Sequence, residues 1–357
     1  MFETVMEKFQ AEWKKIVFRF KRPSGTSRGI LTVRESWFLC IRREDSKDII
    51  GVGECAPLFG LSRDPRHDFE DQLMRVCTKL NQGTFNFSII DDYPTIKFGV
   101  EMALQDLAQG GKRLLFVTPF TSGFQSIPIN GLVWVGSSDF VKEQISNKVE
   151  EGFTCIKMKI GALPFEEELN ILRWLRSEYD STLIELRVDA NGAFNTDDAI
   201  TKLDQLSKFD IHSIEQPLPS GNWNAMARLC KRSPIAIGLD EELIGIDEKS
   251  EKIKVLTEIA PHYIILKPTL LGGFSATEEW IDIADSMDIS WWITSALESN
   301  IGLNALAQWS VTLSSSLPQG LGTGQLYANN LSSPLKIYQG TLQYNPKMKW
   351  DLSPLLA

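Results

Sequence analysis

The sequence predicts an α/β protein in two parts: an α+β opening, then a run of parallel β/α units that suits a closed barrel better than an open sheet. Three observations predict it. Strands come first and helices follow over residues 13–108. From about residue 120, short apolar runs alternate with helical patterns seven or eight times. Five of those runs in succession end in an ionisable side chain. Periodicity alone leaves the closure of the barrel open.

The opening reads as three strands. Trp13–Phe20 alternates, KRPSGTSRG turns, Ile30–Arg42 is apolar and β-branched, and Ile49–Glu54 follows a polar turn. PLFGLS, residues 57–62, is a loop. Helical patterns run over Phe69–Leu80 and Thr95–Ala108, the second preceded by Pro94 as a start signal. TPFTSGFQS, residues 118–126, reads as the connection between the two parts. The β/α units start at IPINGLVW and continue through FTCIKMKI, LIELRVD, IHSIEQ, SPIAIGLD, HYIILKP, ISWWIT and QGLGTG, with helical sequence between them. We therefore expect a first domain over residues 1–125 and a barrel over 126–324. Segment 325–357, which no longer alternates, should pack back on the first domain.

The charge balance excludes several functions. With 37 basic and 46 acidic residues the net charge is −9, a poor match for nucleic acid or an anionic membrane surface. No apolar run is long enough for a membrane span, and the charged start MFETVMEKFQAEWKK is unlike a signal peptide. The five cysteines, Cys40, Cys55, Cys77, Cys155 and Cys230, form no C-x-x-C. They read as small core residues of a protein in a reducing compartment, the cytoplasm. No obligate protein partner is indicated.

The strand ends carry the chemistry. They are Lys159, Asp189, Glu215, Asp240 and Lys267, at spacings of 30, 26, 25 and 27 residues, one β/α unit each. In a barrel all five converge on the C-terminal mouth. One charge at a strand end means little, because strands end at the surface. A cation, three anions and a cation in order mean more. Three carboxylates without His or Cys make a hard oxygen site, suited to Mg²⁺ with Mn²⁺ as a substitute. Asp189, Glu215 and Asp240 are read as its ligands. Glu241 competes with Asp240, and strand register favours Asp240. Asn191, two past Asp189, is a neighbour of the ligands. Arg187, two before it, shares its face and could neutralise a substrate carboxylate or a ligand. Lys157 and Lys159 lie at i and i+2 and face one side. Two ammonium groups side by side disfavour double protonation, as a lysine acting as a base requires.

Other motifs are weaker. Gly25-Thr26-Ser27-Arg28-Gly29 fits G-x-S-x-G, but a strand follows it where a nucleophile elbow needs a helix, so it reads as a hairpin turn. Gly320, Gly322 and Gly324 alternate and could bring backbone amides to a ligand. His212 and His262 fall at strand beginnings, away from the mouth.

K-x-K, LRVDANGAF, IEQP, LDEEL and ILKP together resemble the enolase superfamily, muconate-lactonising subgroup. The resemblance spans nearly the whole chain. It implies a modified TIM (β/α)7β barrel with an α+β capping domain. Within the subgroup, GECAPLFGLS, IPINGLVW, ILKPTLLGGF and WWITSALESNIGLNALAQW are most similar to the o-succinylbenzoate synthase family of the Bacteroidetes type. That resemblance implies a small carboxylate substrate, a succinyl-hydroxycyclohexadiene carboxylate. The family dehydrates it to o-succinylbenzoate in menaquinone biosynthesis.

Carried onto this chain, the resemblance makes Asp189, Glu215 and Asp240 the Mg²⁺ ligands and Lys159 the base. Lys157 tunes that base, and Lys267 stabilises developing charge. Leu58, Phe59, Leu61 and Ser62 are candidates to touch the substrate from the capping loop, and Gly273, Ser295 and Leu297 to hold its carboxylates. The same two-lysine site serves N-acylamino-acid racemases and dipeptide epimerases. Those epimerases carry Asp-x-Asp after the last barrel strand, where this chain reads GLGTG. A mandelate-racemase type would need a His that ISWWITSALES lacks.

Overall fold

In the computed structural model, residues 4–5, 7–26, 29–46, 48–65 and 67–356 are described. The chain opens with an antiparallel meander of β1 (Phe9–Thr26), β2 (Gly29–Arg43) and β3 (Ile50–Cys55). β1 is longer than its alternation suggested. It breaks register between Arg19 and Ser24 and resumes pairing as far as Thr26 opposite Gly29. Ser27 and Arg28, which follow, lie outside the described residues. The turn expected within the G-x-S-x-G match therefore falls on residues outside those described, while Gly25 and Thr26 pair with Ile30 and Gly29.

Helix α1 (Phe69–Gln82) and helix α2 (Pro94–Ala108) cover one face of this sheet. α1 stops at Gly83, whose φ of +66° suits the left-handed cap that closes the last turn. α2 starts one residue earlier than its pattern implied, with Pro94 itself at the first turn. The helix and sheet touch almost backbone to backbone. A Cβ on Gly53 would lie 1.8 Å from the Gly99 carbonyl oxygen, and one on Gly51 2.1 Å from that of Ala103. Side chains at these positions would push the helix off the sheet.

The second part is a parallel barrel. Its strands are β4 (Gly131–Val133), β5 (Cys155–Lys159), β6 (Glu185–Asp189), β7 (Ile211–Glu215), β8 (Ala236–Leu239), β9 (Tyr263–Leu266) and β10 (Ser290–Ile293), hydrogen-bonded in sequence order. The eighth position is held by Gln319 and Gly320. They bridge in parallel to Ile129 on one side and Thr294 on the other. This joins the two edges of the curled sheet and leaves a (β/α)7β barrel.

Helices α3 (Ser138–Glu150), α4 (Phe165–Glu178), α5 (Ala199–Leu206), α6 (Trp223–Arg232), α7 (Lys249–Ile259), α8 (Gly273–Ser286) and α9 (Asn300–Ser310) connect the strands. Their apolar faces and the strands build one large core.

α2 is buried nearly all round because it lies between the capping sheet and the barrel. Phe98 meets Phe274 edge to face at 5.0 Å, and Glu101 accepts the Phe274 backbone N–H at 2.6 Å. On the other side Glu54 of β3 accepts from Ser299 N, Ser299 Oγ and Gly302 N at the start of α9.

The connecting segment over residues 118–126 is tied down by Phe120, which packs on Tyr344. The end of the chain divides. Tyr327, Leu331 and Leu355 pack with Phe18 and Phe38 of the meander. Strands β11 (Leu335–Tyr338) and β12 (Thr341–Tyr344) form a hairpin that pairs with Ile127–Pro128 at the entry to the barrel. Among the described residues no helix is long and apolar enough to cross a membrane.

Glu101 gives the lobe contact a pH signature. Burial pushes its carboxyl up to about 7, against the lowering effect of the Phe274 N–H and Lys97. A group that binds its proton more tightly when folded favours folding at low pH, and that contribution is lost as pH rises through its folded value. Glu101→Gln keeps an acceptor for the Phe274 N–H and removes the titration. We predict that Tm of the wild type falls between pH 5 and pH 7.5 by more than Tm of Glu101→Gln, measured by calorimetry; parallel curves would contradict this.

Candidate active site

Strand register places Lys159, Asp189 and Glu215 on one rung, with Asp240 and Lys267 just past the ends of the next two strands. Lys159 pairs with Asp189, Asp189 with Glu215 and Glu215 with Gly238. Asp240 follows β8 immediately, and Lys267 follows β9. Counting Gln319–Gly320 as the eighth strand, Lys159 lies on the second and Lys267 directly after the sixth. Three strands separate them in either direction around the barrel, so the two lysines face each other across the mouth. They divide it in two. The half between them over β6 to β8 is acidic. The other half, over β10, Gln319–Gly320 and β4, carries no charge on its cavity wall among the described residues.

In the acidic half, Asp189, Glu215 and Asp240 each place a carboxylate oxygen within 4.8 Å of the others, and all three are buried. Lys157 Nζ lies 3.0 Å from Asp189 Oδ2 and also contacts Glu215. Lys159 Nζ lies 3.1 Å from Asp189 Oδ2 and 2.6 Å from Asn191 Oδ1. Lys267 contacts Asp240. Asn191 donates to Glu241 Oε1 at 2.9 Å, which ties Glu241 to the wall beside the triad.

The charges set the protonation. Burial alone would lower the pKa of Lys157, but Asp189, Glu215 and Asp240 more than offset it, and Lys157 is held firmly as an ammonium. Lys267 moves upward the same way, burial being outweighed by Asp240 and Glu241. Burial would raise Asp189, yet Lys157, Lys159 and Lys267 hold its carboxyl far below the usual range.

The triad fits a hard cation. Its donors are all carboxylate oxygens, and Glu215 Oε1 is buried with no hydrogen-bond partner among the described residues. An orphaned anionic oxygen amid two other carboxylates is what a metal ion would satisfy.

A cavity of about 190 Å³ opens above the lysines. The capping lobe roofs it with Leu31, Leu58, Phe59 and Leu61. On the neutral side Asn130, Leu132 and Trp134 line it from β4 and its approach, and Thr294, Ser295 and Leu297 from the end of β10. Asn130 Oδ1 and Thr294 Oγ1 are buried there with no hydrogen-bond partner among the described residues. Gly320 makes room for this wall, since a Cβ would lie 2.4 Å from Thr294 Oγ1.

Backbone strain also gathers here. Asn191, Gln216 and Leu297 have φ of 43°, 38° and 66°. Such a conformation costs a non-glycine residue about 1–3 kcal/mol and persists only when the surroundings impose it.

Three residues expected at the site lie elsewhere. Arg187 shares a face with Asp189 but sits one pleat lower. Its guanidinium is fully buried, stacked 4.2 Å over Trp292 and bonded to Glu185 and the Pro318 carbonyl. It builds the barrel floor. Ser62 turns inward to accept the Leu58 N–H at 2.7 Å, shaping the loop from within. Gly273 has φ of +94° and faces α2, where a Cβ would lie 2.1 Å from Glu101 Oε2.

Asn191, Ser295 and Leu297 do line the cavity. Sequence reasoning assigned no role to Asn130, Leu132 and Trp134, although their spacing of two repeats the signal used for Lys157 and Lys159. It also passed over Gln216, whose side-chain oxygen accepts from Asp240 N and Glu242 N and so holds the third carboxylate in place.

A parallel barrel with a buried acidic triad between facing lysines, under an α+β cap, is the arrangement of an enolase-superfamily enzyme. Residues 141–347 match the family described as "Enolase C-terminal domain-like", and residues 25–107 match "MenC, N-terminal domain". The chain is 42% identical to an o-succinylbenzoate synthase of Desulfotalea psychrophila, over 94% of this chain and 99% of that protein. It belongs to the o-succinylbenzoate synthase family of the enolase superfamily.

The crystal structure of MenC from Desulfotalea psychrophila superposes with a TM-score of 0.84 at 38% identity, covering 94% of this chain and all of the other. A muconate lactonizing enzyme from Pseudomonas fluorescens shares the fold, with a TM-score of 0.80 at 19% identity and 99% of both chains covered.

The triad geometry generates a direct expectation. We predict that Asp240→Asn weakens Mn²⁺ binding, followed by paramagnetic resonance, by at least about tenfold. Tm should stay within about 2 °C, because the core does not rest on that side chain. Unchanged Mn²⁺ affinity would remove Asp240 from the ligand set.

Proposed function

We propose that this chain is an Mg²⁺-dependent o-succinylbenzoate synthase. It removes water from a succinyl-hydroxycyclohexadiene carboxylate to give o-succinylbenzoate, in menaquinone biosynthesis and in the cytoplasm. The observation that carries the mechanism is the division of the mouth by Lys159 and Lys267. A substrate whose carboxylate enters the acidic half must place its α-carbon between the lysines and extend its other arm into the neutral half. The five cysteines, all buried and free, support a reducing compartment.

Asp189, Glu215 and Asp240 would hold the ion. When bound, it neutralises charge that develops on the substrate carboxylate. Lys159, as the free amine, takes the proton α to that carboxylate, and the C–H electron pair moves into the carboxylate system. The Lys267 ammonium, on the opposite side, stabilises the added charge electrostatically. Lys159 then passes its proton to the hydroxyl leaving from the same face. The C–O bond breaks, the ring double bond forms, water departs and Lys159 is again a free amine. Aromaticity of the product drives the step. Asn191 holds Lys159 at 2.6 Å and so aims it. The roof of Leu31, Leu58, Phe59 and Leu61 excludes water over the ring.

The facing lysines also favour a second reading, racemisation of an N-acylamino acid, with Lys267 returning the proton to the other face. Dipeptide epimerisation is less well supported, because the Gly320–Gly324 wall offers no carboxylate for a substrate ammonium.

Purified protein with Mg²⁺ and the cyclohexadiene substrate, followed by ultraviolet absorbance, tests the reading. Aromatisation should occur, vanish with EDTA and return with Mg²⁺ or Mn²⁺; full activity in a metal-stripped sample would refute the metal assignment. Lys159→Ala and Lys159→Arg should abolish the reaction. Lys267→Arg keeps the positive charge and should retain a measurable rate, whereas a racemase loses proton transfer there because arginine cannot act as a base.

A further inference from the structure

One buried carboxylate outside the metal triad holds the neutral half of the mouth together. Glu298 is 1% exposed. Its Oε1 accepts from Ala296 N at 3.0 Å and from the Thr269 hydroxyl. Its Oε2 accepts from Ser295 Oγ at 2.5 Å. The Ser295 hydroxyl is in turn a hub. It accepts the Leu297 N–H at 3.0 Å and meets Thr323 Oγ1 at 2.7 Å. Ser295, Leu297 and Thr323 all line the cavity.

The direction of these bonds matters. A carboxylate only accepts, so the Ser295 proton must point to Glu298. That leaves the Ser295 lone pairs for the Leu297 N–H and Thr323. Leu297 needs such a hold, because its φ of 66° is a conformation that a branched side chain rarely adopts. Its carbonyl is fixed from the other side by Tyr327 Oη at 2.6 Å.

We propose that Glu298 is a positioning residue: through the Ser295 hydroxyl it sets the Leu297–Thr323 wall that receives the arm of the substrate lying away from the metal triad. This rests on the reading of the chain as a dehydratase. Glu298 touches neither lysine nor any triad carboxylate, so its influence falls on substrate binding more than on proton transfer.

Glu298→Gln separates this role from a structural one. The amide keeps an oxygen for Thr269 and Ala296 N, but sets an NH2 against the Ser295 hydroxyl and reverses the hub. Turnover of the cyclohexadiene substrate, Mn²⁺ affinity and Tm are measured on wild type, Glu298→Gln, Ser295→Ala and the double variant.

The expected result is a KM raised at least about tenfold with kcat within about threefold, a loss of binding rather than of chemistry. Mn²⁺ affinity should be unchanged. The double variant should be no worse than about twofold beyond Glu298→Gln, because both changes break one chain of contacts. An unchanged KM would overturn the proposal. So would parallel losses of kcat, Mn²⁺ affinity and Tm, or multiplicative losses in the double variant. Should Glu298→Gln fail to fold, Ser295→Ala alone must show the raised KM, and a normal KM there overturns the proposal. A wild type that performs no dehydration overturns both this proposal and the reading beneath it; a normal wild type with a normal Glu298→Gln overturns this proposal alone.

Discussion

Three carboxylates share one buried spot at the barrel mouth, and their mutual repulsion is the constraint on which the rest of the structure depends. Their oxygens lie within 4.8 Å of one another. At an effective dielectric constant of 20, each such pair costs at least about 3.5 kcal/mol before desolvation is counted. Only positive charge offsets this. The fold supplies Lys157 beneath the triad and Lys267 beside it, and the orphaned Glu215 oxygen leaves a place for a metal ion. The parallel sheet makes the arrangement possible, because successive strand ends meet at one level without any loop having to reach inward.

The same geometry assigns the capping lobe its part. Leu31, Leu58, Phe59 and Leu61 can roof the cavity only if the meander is held against the barrel, and two buried carboxylates do the holding. Glu101 reaches from α2 to the start of α8, and Glu54 from β3 to the start of α9. Both sit at helix N-termini, where free backbone N–H groups favour an anion. The close contact of Gly51 and Gly53 with α2 lets that helix lie thin enough to touch both the sheet and the barrel.

Much of this was legible in the sequence. The spacing of Lys159, Asp189, Glu215, Asp240 and Lys267 matched one β/α unit per step, and the barrel brought all five to its mouth. Alternation was less informative about height. Arg187 and Asp189 share a face, yet a pleat separates them, and Trp292 covers the lower one. Period two reports which way a side chain points, not how far along the barrel axis it lies. Ser62 and Gly273 were misplaced for another reason. Their neighbours are distant in sequence or lie within the loop itself, and no local pattern encodes them. The long β1 escaped because its pairing stops at Arg19, breaks register across the turn-like KRP, and resumes at Ser24–Thr26. The neutral wall of Asn130, Leu132 and Trp134 was readable in principle, since it carries the same spacing as the two strand lysines.

The central claim is that a one-base site built on Lys159 removes water, with Lys267 acting as a fixed charge and not as a second base. Solvent deuterium tests it most directly. The protein is incubated in D₂O with Mg²⁺ and, in separate samples, the cyclohexadiene carboxylate and each enantiomer of an N-acylamino acid. A one-base dehydratase aromatises the first and leaves the α-positions of the amino acids unlabelled. Rapid α-deuteration of both enantiomers with no aromatisation would show two working bases and contradict the account.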